Sequence, residues 1–378
     1  MLLVSEPMVG EQEKSALDDV IDSGWITMGP RVRSFEESFA SLHGMPDCVA
    51  VSSCTAALHL ILLAAGIGPG DEVLVPSMTF AATANAVLYV GATPVFVDIE
   101  SLDDPLVSAA RAEEKCTSRT RAAIVVHYAG ALVGSAWQAL ADRRGLFLVE
   151  DSAHAVGFPG PGTVGAAAAF SFYGNKNMTT AEGGMVSARD PALLDRVRLM
   201  RGHGMTSGTF ERLNSRTPHY DVVMLGFNYR LDELRGAIGL VQLQHLSERN
   251  AIRRSLFSLY GELLGCKCPD VIVPFRDRAD LTPHIMPVVL PAEADRNRVI
   301  SVLRDREIQT TIHYPPVHSL TYYKERFPHC EQLDVTEEFA RRELTLPLHP
   351  KMRVEDVEHT VRSLELALGQ QSQMREAS

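Results

Sequence analysis

The chain has 378 residues, of which 46% are hydrophobic and 22% charged, and its formal net charge at pH 7 is -11. This length exceeds one small core and indicates two or three domains, or one large α/β unit with an appended piece. The acidic balance argues against a nucleic-acid partner, because phosphate backbones are bound by clustered Lys and Arg.

The cysteines and the apolar runs indicate the cellular compartment in which the protein is expected. The six cysteines are sparse and form no Cys-x-x-Cys pair, so they predict reduced thiols, with neither a disulfide framework nor a metal site. The N-terminal segment lacks the pattern of a signal peptide, and no apolar run approaches the roughly 18 residues of a membrane helix. We therefore expect a cytoplasmic protein without a membrane partner.

Short apolar runs alternate with helical segments between about residues 31 and 187. The runs are CVAVSS, EVLVP, PVFVDI, AAIVVHY and LFLVED, and the segments between them include TAALHLILLAAG, TFAATANAVLYVG and GSAWQALADRRG. Strands that are apolar throughout indicate an α/β fold whose parallel sheet is covered by helices on both faces. AAAAFSFY and GGMVSAR predict two further strands.

The pattern changes after residue 190. DPALLDRVRLMRG predicts a helix with Asp190 as its N-cap and Gly202 at its end, and YRLDELRGAIGLVQLQHLSERNAIRRSLFSLYGELLG predicts one long helix or two joined ones. After Cys268, the strand HIMPVVL and the helices ADRNRVISVLRDR and VEDVEHTVRSLELALG predict a compact α+β domain. We place a large α/β domain over residues 1–250 and a small C-terminal domain over residues 251–378.

Several residues that could bind a ligand or take part in catalysis follow the predicted strands. Ligands bind at this position in open α/β sheets. Thr55 follows the first strand and is a candidate helix N-cap beside free amides that could hold an anion. Phe80 follows the second strand. Asp151 ends a buried strand, where a carboxylate is costly unless it is paired or takes part in chemistry. Each has an ordinary structural explanation alone: a cap, a core aromatic and a salt bridge.

Lys176 lies in AFSFYGNKNMTTAEGGM, between aromatic residues and a glycine-rich turn. An isolated lysine of this kind could belong to a surface turn, but together with the residues above it meets the requirements of pyridoxal phosphate (PLP). Thr55 and Ser171 would hold the phosphate, and the ring would stack on Phe80. Asp151 would keep the pyridine nitrogen protonated, and Lys176 would bind the aldehyde as a Schiff base.

Five segments resemble, in order, the signature segments of the DegT/StrS (DegT/DnrJ/EryC/StrS) family of PLP-dependent sugar aminotransferases. They are SSCTAALHLILLAAGIGPGDEVLVPSMTFAATANAVLYVGATPVFVDIE, VEDSAHAVG, FSFYGNKNMTTAEGGM, GFNYRLDELRGAIGLVQL and LTLPLHP. The resemblance extends from about Glu11 to Pro350. It implies a fold-type I PLP-dependent aminotransferase with a mostly parallel seven-stranded sheet in the large domain and a small C-terminal α+β domain.

The resemblance also implies roles for particular residues. Lys176 corresponds to the catalytic lysine, Asp151 to the partner of the ring nitrogen, and His154 to a residue near the ring hydroxyl. Asn228 corresponds to an asparagine that reaches the phosphate from the neighbouring subunit, which implies a homodimer with shared active sites. The implied cofactor-binding residues are Cys54, Thr55, Phe80, Asp151, His154, Ser171, Lys176 and Asn228.

The sequence departs from the family pattern at two places, and two other features indicate which reaction the family member performs. Cys54 stands where glycine is commoner, which affects the phosphate contacts, and VVHYAGALVG lacks a proline often found in that loop. A branch that performs dehydration has histidine in place of the lysine, so Lys176 favours transamination. TTAEGG after the lysine resembles enzymes that act at the 4-position of the sugar.

Two further segments resemble substrate-lining parts of the family. The turn DSGWITMGP contains Thr27 and Met28, within the first thirty or so residues that we interpret as a substrate-lining arm. The segment IHYPPVHSLTYY contains His313 and Tyr314 and would lie over the sugar end of the site, although a Pro-rich surface loop is the ordinary alternative. Arg230 is a candidate for binding the carboxylate of the amino donor.

The predicted activity is transfer of an amino group from an amino acid, with L-glutamate the favoured donor, to C4 of a nucleotide-linked keto sugar by ping-pong chemistry. Such a reaction would serve amino-sugar formation for a polysaccharide or an antibiotic, with small molecules as the substrates. Two alternatives stay open: a keto-inositol or another cyclic ketone as the acceptor, and a non-catalytic sensor on the same fold. The sensor is disfavoured because Lys176 and Asp151 are both intact.

Overall fold

A seven-stranded sheet forms the centre of the protein. The computed structural model describes residues 1–157, 162–214, 219–328, 330 and 332–376. The described strands are β1 (Cys48–Val51), β2 (Glu72–Pro76), β3 (Thr93–Val97), β4 (Thr120–Val126), β5 (Phe147–Asp151), β6 (Ala167–Ser171), β7 (Gly184–Ala188), β8 (Met286–Val289) and β9 (Glu343–Leu346). The first seven build the large sheet, and the last two form a separate antiparallel pair.

Helices surround both sheets. The described α-helices are α1 (Glu11–Asp22), α2 (Pro30–His43), α3 (Cys54–Ala64), α4 (Ala81–Tyr89), α5 (Ala109–Glu114), α6 (Ala136–Arg144), α7 (Pro191–Met200), α8 (Thr209–Asn214), α9 (Glu233–Lys267), α10 (Arg296–Asp305), α11 (Thr321–Arg326), α12 (Asp334–Arg342) and α13 (Val354–Glu376). None of these helices is long and apolar enough to cross a membrane.

The order of the large sheet is β1-β7-β6-β5-β4-β2-β3. Strand β7 runs antiparallel to both of its neighbours, and every other neighbouring pair is parallel. All seven strands coincide with the apolar runs, and β1, β2, β5, β6 and β7 are almost entirely buried because helices cover both faces of the sheet. The predicted α/β fold with a mostly parallel seven-stranded sheet is therefore confirmed.

The N-cap of α3 differs from the prediction. Helix α3 begins at Cys54, and the hydroxyl of Ser53 accepts a hydrogen bond from the N–H of Ala56 at 3.1 Å. Ser53 is therefore the cap, and the prediction of Thr55 as the N-cap is wrong, because the chain enters the helix two residues earlier and serine caps as well as threonine. Asp190 caps α7 as predicted, accepting from the N–H of Ala192 at 2.9 Å.

The long segment after residue 228 forms one continuous helix, α9, and not two. It begins at Glu233 because the carboxylate of Asp232 caps it, accepting from the N–H of Arg235 at 2.9 Å. Helix α9 packs against α1, α2 and α13. A Cβ added at Gly239 would lie 2.8 Å from the ring of Phe35 in α2, so glycine permits the close approach of the two helices.

The C-terminal part is the predicted α+β unit, with β8 and β9 flanked by α10 and α13. One hydrophobic cluster includes Leu74 of the large sheet, Leu256 of α9 and Leu344 of the small sheet, so this cluster spans both sheets. The division of the chain near residue 250 stays a prediction and falls within α9. Residues 377 and 378 of the predicted small domain lie outside the described residues.

Candidate active site

Three loops meet at the carboxyl ends of β4, β5 and β6. Parallel pairing sets Val126 beside Asp151 and Asp151 beside Ala169, so the ends of these strands lie at one edge of the sheet. The turn with Lys176 follows β6 directly. Parallel topology therefore brings together residues that are distant in sequence, as expected for a ligand site in an open α/β sheet.

The Asp151 carboxylate is 6% exposed and held by three donors. The hydroxyl of Thr83 donates to Oδ2 at 2.9 Å, while the N–H of Ala153 (3.2 Å) and the thiol of Cys54 (3.8 Å) donate to Oδ1. The hydroxyl of Thr79 lies 2.8 Å from that of Thr83 and must donate to it, because Thr83 gives its own hydrogen to the carboxylate.

Burial raises the pKa of Asp151, whereas the hydrogen bond from Thr83 and the positive charge of Lys176 act in the opposite direction. The donors thus favour the ionised carboxylate and oppose the effect of burial, which favours the protonated form. An ionised, fixed carboxylate of this kind can hold a protonated ring nitrogen.

Lys176 lies half-buried in its turn, where its backbone N–H donates to the carbonyl of Tyr173 at 3.0 Å. Burial lowers the pKa of its ammonium to about 8, and the negative charge of Asp151 partly opposes that shift. An amine with a pKa near 8 is uncharged in about a tenth of molecules at pH 7, far more than an ordinary lysine, and the uncharged amine is the nucleophile for a carbonyl.

His154 is neutral and has a fixed tautomer. The N–H of Ala129 donates to Nδ1 at 3.2 Å, so the ring proton is on Nε2, which lies 2.9 Å from the hydroxyl of Tyr314 and donates to it. Burial and the neighbouring Lys176 hold the pKa of His154 well below its usual value. The ring therefore acts as a neutral donor near Lys176.

An anion cradle lies where α3 begins. A Cβ added at Gly184 of β7 would lie 2.5 Å from the carbonyl carbon of Ser53 and 2.6 Å from the nitrogen of Cys54, so β7 can lie against this helix terminus only with glycine. Gly184 pairs with Ser171, the last residue of β6. The first-turn amides of α3 at Cys54 and Thr55 and the strand end at Ser171 therefore both adjoin Gly184, an arrangement that would suit a phosphate.

Phe80 offers an aromatic face beside the same loops. Its side chain is 62% exposed at the start of α4, and its ring centroid lies 6.0 Å from that of Tyr314 at 54°. His313 is held beside His154, because the hydroxyl of Tyr128 donates to its carbonyl at 2.7 Å and its Nδ1 lies 2.9 Å from the hydroxyl of Thr345. The structure thus brings the predicted His313–Tyr314 segment to the edge where Lys176 lies.

The remaining predicted residues make the following contacts. Asn228 is exposed, and its backbone pairs with that of Gly202. Thr27 is exposed, while Met28 packs against a cluster that includes Phe172. The backbone of Arg230 pairs with Val51 at the end of β1.

Sequence reasoning missed Thr83, Tyr128 and His284. Thr83 lies three residues after Phe80, in the first turn of α4, and this closeness to a predicted site residue is the signal that could have indicated it. Tyr128 and His284 carry no comparable signal in the sequence, because their contacts lie far along the chain, with His313 and Asn177 respectively.

These residues fit PLP. The cradle at α3 suits the phosphate, Phe80 suits the ring, the carboxylate of Asp151 suits the ring nitrogen, and the amine of Lys176 suits the aldehyde. The orientation of the Asp151 carboxylate is set by Thr83, Cys54 and Ala153, so the acceptor for a ring N–H is pre-formed.

Comparison with known proteins agrees with this arrangement. The model of the DegT/DnrJ/EryC1/StrS aminotransferase family matches residues 7–365. The aminotransferase TlmJ from Streptoalloteichus hindustanus is 33% identical, with 98% of this chain and 100% of that chain covered and a TM-score of 0.89. The sugar aminotransferase CalS13 from Micromonospora echinospora is 28% identical, with 97% and 100% covered and a TM-score of 0.87.

A third similar protein, Spr1654 from Streptococcus pneumoniae, has been solved in a PLP form and a PMP form. Its PLP form is 28% identical to this chain, with 96% of this chain and 97% of that chain covered and a TM-score of 0.89. These likenesses cover nearly the full length of each protein, so they concern the whole fold and not one motif.

Proposed function

Because this chain belongs to the DegT/DnrJ/EryC1/StrS aminotransferase family, and is a PLP-dependent aminotransferase, we propose that it aminates a nucleotide-linked keto sugar at C4, with L-glutamate as the donor. The observation that carries the chemistry is the fixed carboxylate of Asp151 together with a lysine whose pKa is about 8. A sugar acceptor is supported by the similarity to CalS13, which is a sugar aminotransferase.

When bound, PLP supplies an electron sink that stabilises negative charge at the donor carbon and then at the acceptor carbon. Asp151 keeps the ring nitrogen protonated, because its ionised Oδ atoms are oriented to accept a hydrogen bond. The helix terminus at Cys54 and Thr55, with the hydroxyl of Ser171, would hold the phosphate. Phe80 would stack on the ring.

Lys176 moves the proton. Its pKa of about 8 makes the amine able to accept a proton from the donor carbon near neutral pH. The protonated amine would deliver that proton to the cofactor's C4′ carbon, and the acceptor half-reaction would run the same transfer in reverse. Because the donor product leaves before the acceptor binds, the two half-reactions use the same amine in turn, which is ping-pong behaviour. His154 donates its Nε2–H to the hydroxyl of Tyr314 and thereby orients that hydroxyl at the same edge.

The acceptor side of the site is assigned to two segments. His313 and Tyr314 lie beside His154 and Phe80, which supports contact of this segment with the sugar. Thr27 and Met28 belong to the N-terminal arm, and we assign them to the nucleotide-sugar side. Arg230 remains our candidate for the donor carboxylate.

We also infer a homodimer in which Asn228 completes the partner's phosphate site. Asn228 is exposed, and the neighbouring side chains of Tyr220, Val222, Val223 and Leu225 are between 53% and 83% exposed. A contiguous exposed apolar segment of this kind is typical of a protein–protein contact. A shared site would bury this segment and supply the phosphate with a further amide donor.

The acceptor is tested with a panel of nucleotide-linked 4-keto sugars, nucleotide-linked 3-keto sugars and keto-inositols. Each is incubated with the holoenzyme and L-glutamate, and 2-oxoglutarate and the amino product are measured by mass spectrometry. The proposal expects product from a nucleotide-linked 4-keto sugar, and none from Lys176→Ala, whereas Lys324→Ala, at an exposed position, should match the native enzyme. Product from keto-inositols alone would contradict the sugar acceptor, and no product from any ketone would favour a sensor.

A further inference from the structure

A chain of buried hydrogen bonds starts at the residue that follows Lys176. The side chain of Asn250 donates through Nδ2 to the carbonyl of Val156 at 3.1 Å. The side chain of Asn177 donates through Nδ2 to Oδ1 of Asn250 at 3.0 Å, and Nδ1 of His284 lies 3.0 Å from Oδ1 of Asn177. The three polar side chains, Asn177, Asn250 and His284, are each 4% exposed.

The direction of every bond in this chain is determined. A carbonyl can only accept, so Asn250 must present its amide nitrogen to Val156 and its oxygen to Asn177. Asn177 must then present its nitrogen to Asn250 and its oxygen to His284. The hydrogen of the neutral His284 ring is therefore on Nδ1, and no tautomer or amide flip gives an alternative with all three bonds.

His284 contacts both halves of the candidate site. Its side chain donates to Asn177, directly after Lys176, and its backbone N–H donates to the carbonyl of Ala129 at 3.0 Å. The N–H of that same Ala129 fixes Nδ1 of His154. The rings of His154 and His284 lie 4.4 Å apart.

Burying a histidine at position 284 costs free energy, and the hydrogen bond from its Nδ1 offsets that cost. Nε2 of His284 is buried and has no hydrogen-bond partner among the described residues. A leucine of similar volume would leave no such acceptor, so packing alone does not explain the imidazole. Burial also holds the pKa of His284 well below its usual value, so the ring is neutral and removing it deletes no charge.

We propose that His284 is a positioning residue of the aminotransferase, holding the Lys176 turn through Asn177 and the His154 ring through Ala129. His284 is located just before β8, so the C-terminal α+β part is tied directly to both active-site loops. The role is independent of which ketone is the acceptor, because it concerns the lysine itself.

The test measures the Lys176 amine in the apoenzyme. Competitive labelling with trace acetic anhydride at a series of pH values, read by mass spectrometry of each lysine peptide, gives the labelling midpoint of Lys176, with exposed Lys324 as the internal reference. In the native enzyme the midpoint should be near pH 8, the pKa that burial gives Lys176. His284→Leu frees the turn, lets water reach the amine, and should raise that midpoint toward the ordinary lysine value.

A conservative variant and a second position separate positioning from folding. His284→Asn places an amide Nδ2 where Nδ1 was and should restore the native midpoint, because the bond to Asn177 is kept. Asn250→Ser interrupts the chain one residue further and should raise the midpoint in the same direction. In the holoenzyme, His284→Leu should lower kcat by about tenfold to a hundredfold with KM changed little, because the reacting amine is misplaced.

The control is His59→Leu. His59 is also buried, and its Nδ1 lies 3.3 Å from the hydroxyl of Tyr229, a residue outside the chain from His284 to Val156. It should lower thermal stability and leave the Lys176 midpoint near pH 8. The proposal is overturned if His284→Leu or Asn250→Ser leaves the midpoint unchanged, if His284→Asn behaves like His284→Leu, or if His59→Leu shifts the midpoint equally.

Discussion

The hydrogen bond from Thr83 sets the pH range over which Asp151 can hold the cofactor. Thr83 is fully buried and donates to Oδ2 of Asp151 at 2.9 Å, where it opposes the rise in pKa that burial causes. Thr83→Val keeps the shape of the side chain and removes the donor. The hydroxyl of Thr79 then also loses its acceptor.

The size of the effect follows from the charge on the acceptor. A hydrogen bond to a charged group contributes about 1.5–3 kcal/mol, and about 1.4 kcal/mol corresponds to one pKa unit. Removing the donor destabilises the ionised form, so the pKa of Asp151 should rise by about one to two units. The protonated carboxyl no longer pairs with a protonated ring nitrogen. As the pH is lowered, the variant should therefore lose its affinity for PLP at a higher pH than the native enzyme does.

The assay is the dissociation constant of PLP measured by fluorescence between pH 5 and 9. The acid limb of the Thr83→Val profile should move to higher pH by about one to two units relative to the native profile. Thr83→Ser keeps the donor and should keep the native acid limb. Protonation of Lys176, whose pKa is about 8, also lowers the affinity for PLP as the pH falls, but this contribution is shared by the native and variant profiles. The reasoning is refuted if the acid limb does not move, or if serine and valine shift it equally.

Three further outcomes follow from the same geometry. Asp151→Asn should lower the labelling midpoint of Lys176 below pH 8, because the carboxylate's negative charge raises that pKa; a rise would contradict the electrostatics. Gly184→Ala should lower the free energy of unfolding, measured in urea titrations, by about 1–3 kcal/mol, because the added methyl overlaps the backbone at α3. Gly134→Ala is the control and should change the free energy of unfolding little, because Gly134 has open space around it. Equal values for the two variants would refute the overlap. Asn228→Ala and Lys176→Ala are each expected to lose activity, and mixing the two after subunit exchange should regain part of it; no regain would mean that each site is built from one chain.

The sheet and its ligand edge were predictable because the signals are local. An apolar run such as EVLVP specifies a strand buried on both faces, and residues that end such runs must lie at the carboxyl edge. Asp151 and Lys176 were therefore identifiable, because Asp151 ends β5 and Lys176 follows β6. The family and the cofactor are confirmed, while the individual contacts of Phe80, Ser171 and Asn228 stay predictions.

The supporting contacts were not predictable because they join distant parts of the chain. Thr83 and Asp151 are 68 residues apart, and Asn177 and His284 are 107 apart. A buried threonine in a helix and a histidine before a strand have no sequence pattern that distinguishes support from simple packing. The prediction of the α3 N-cap was wrong for another reason. Ser53 and Thr55 are both good N-cap residues, and only the backbone path selects Ser53.

Helix α9 has a consequence for how substrates enter. Its 35 residues run without a break for about 50 Å, with α1 and α2 beside it at one end and α13 at the other. A rigid rod that is common to both parts of the chain resists a hinge between them, since any rotation would have to bend or break the rod. Substrate entry and product exit are therefore expected to depend on local movements near the active site, such as those of the 313–314 segment. The strand ends that carry Asp151 and the Lys176 turn should keep a constant shape through each half-reaction.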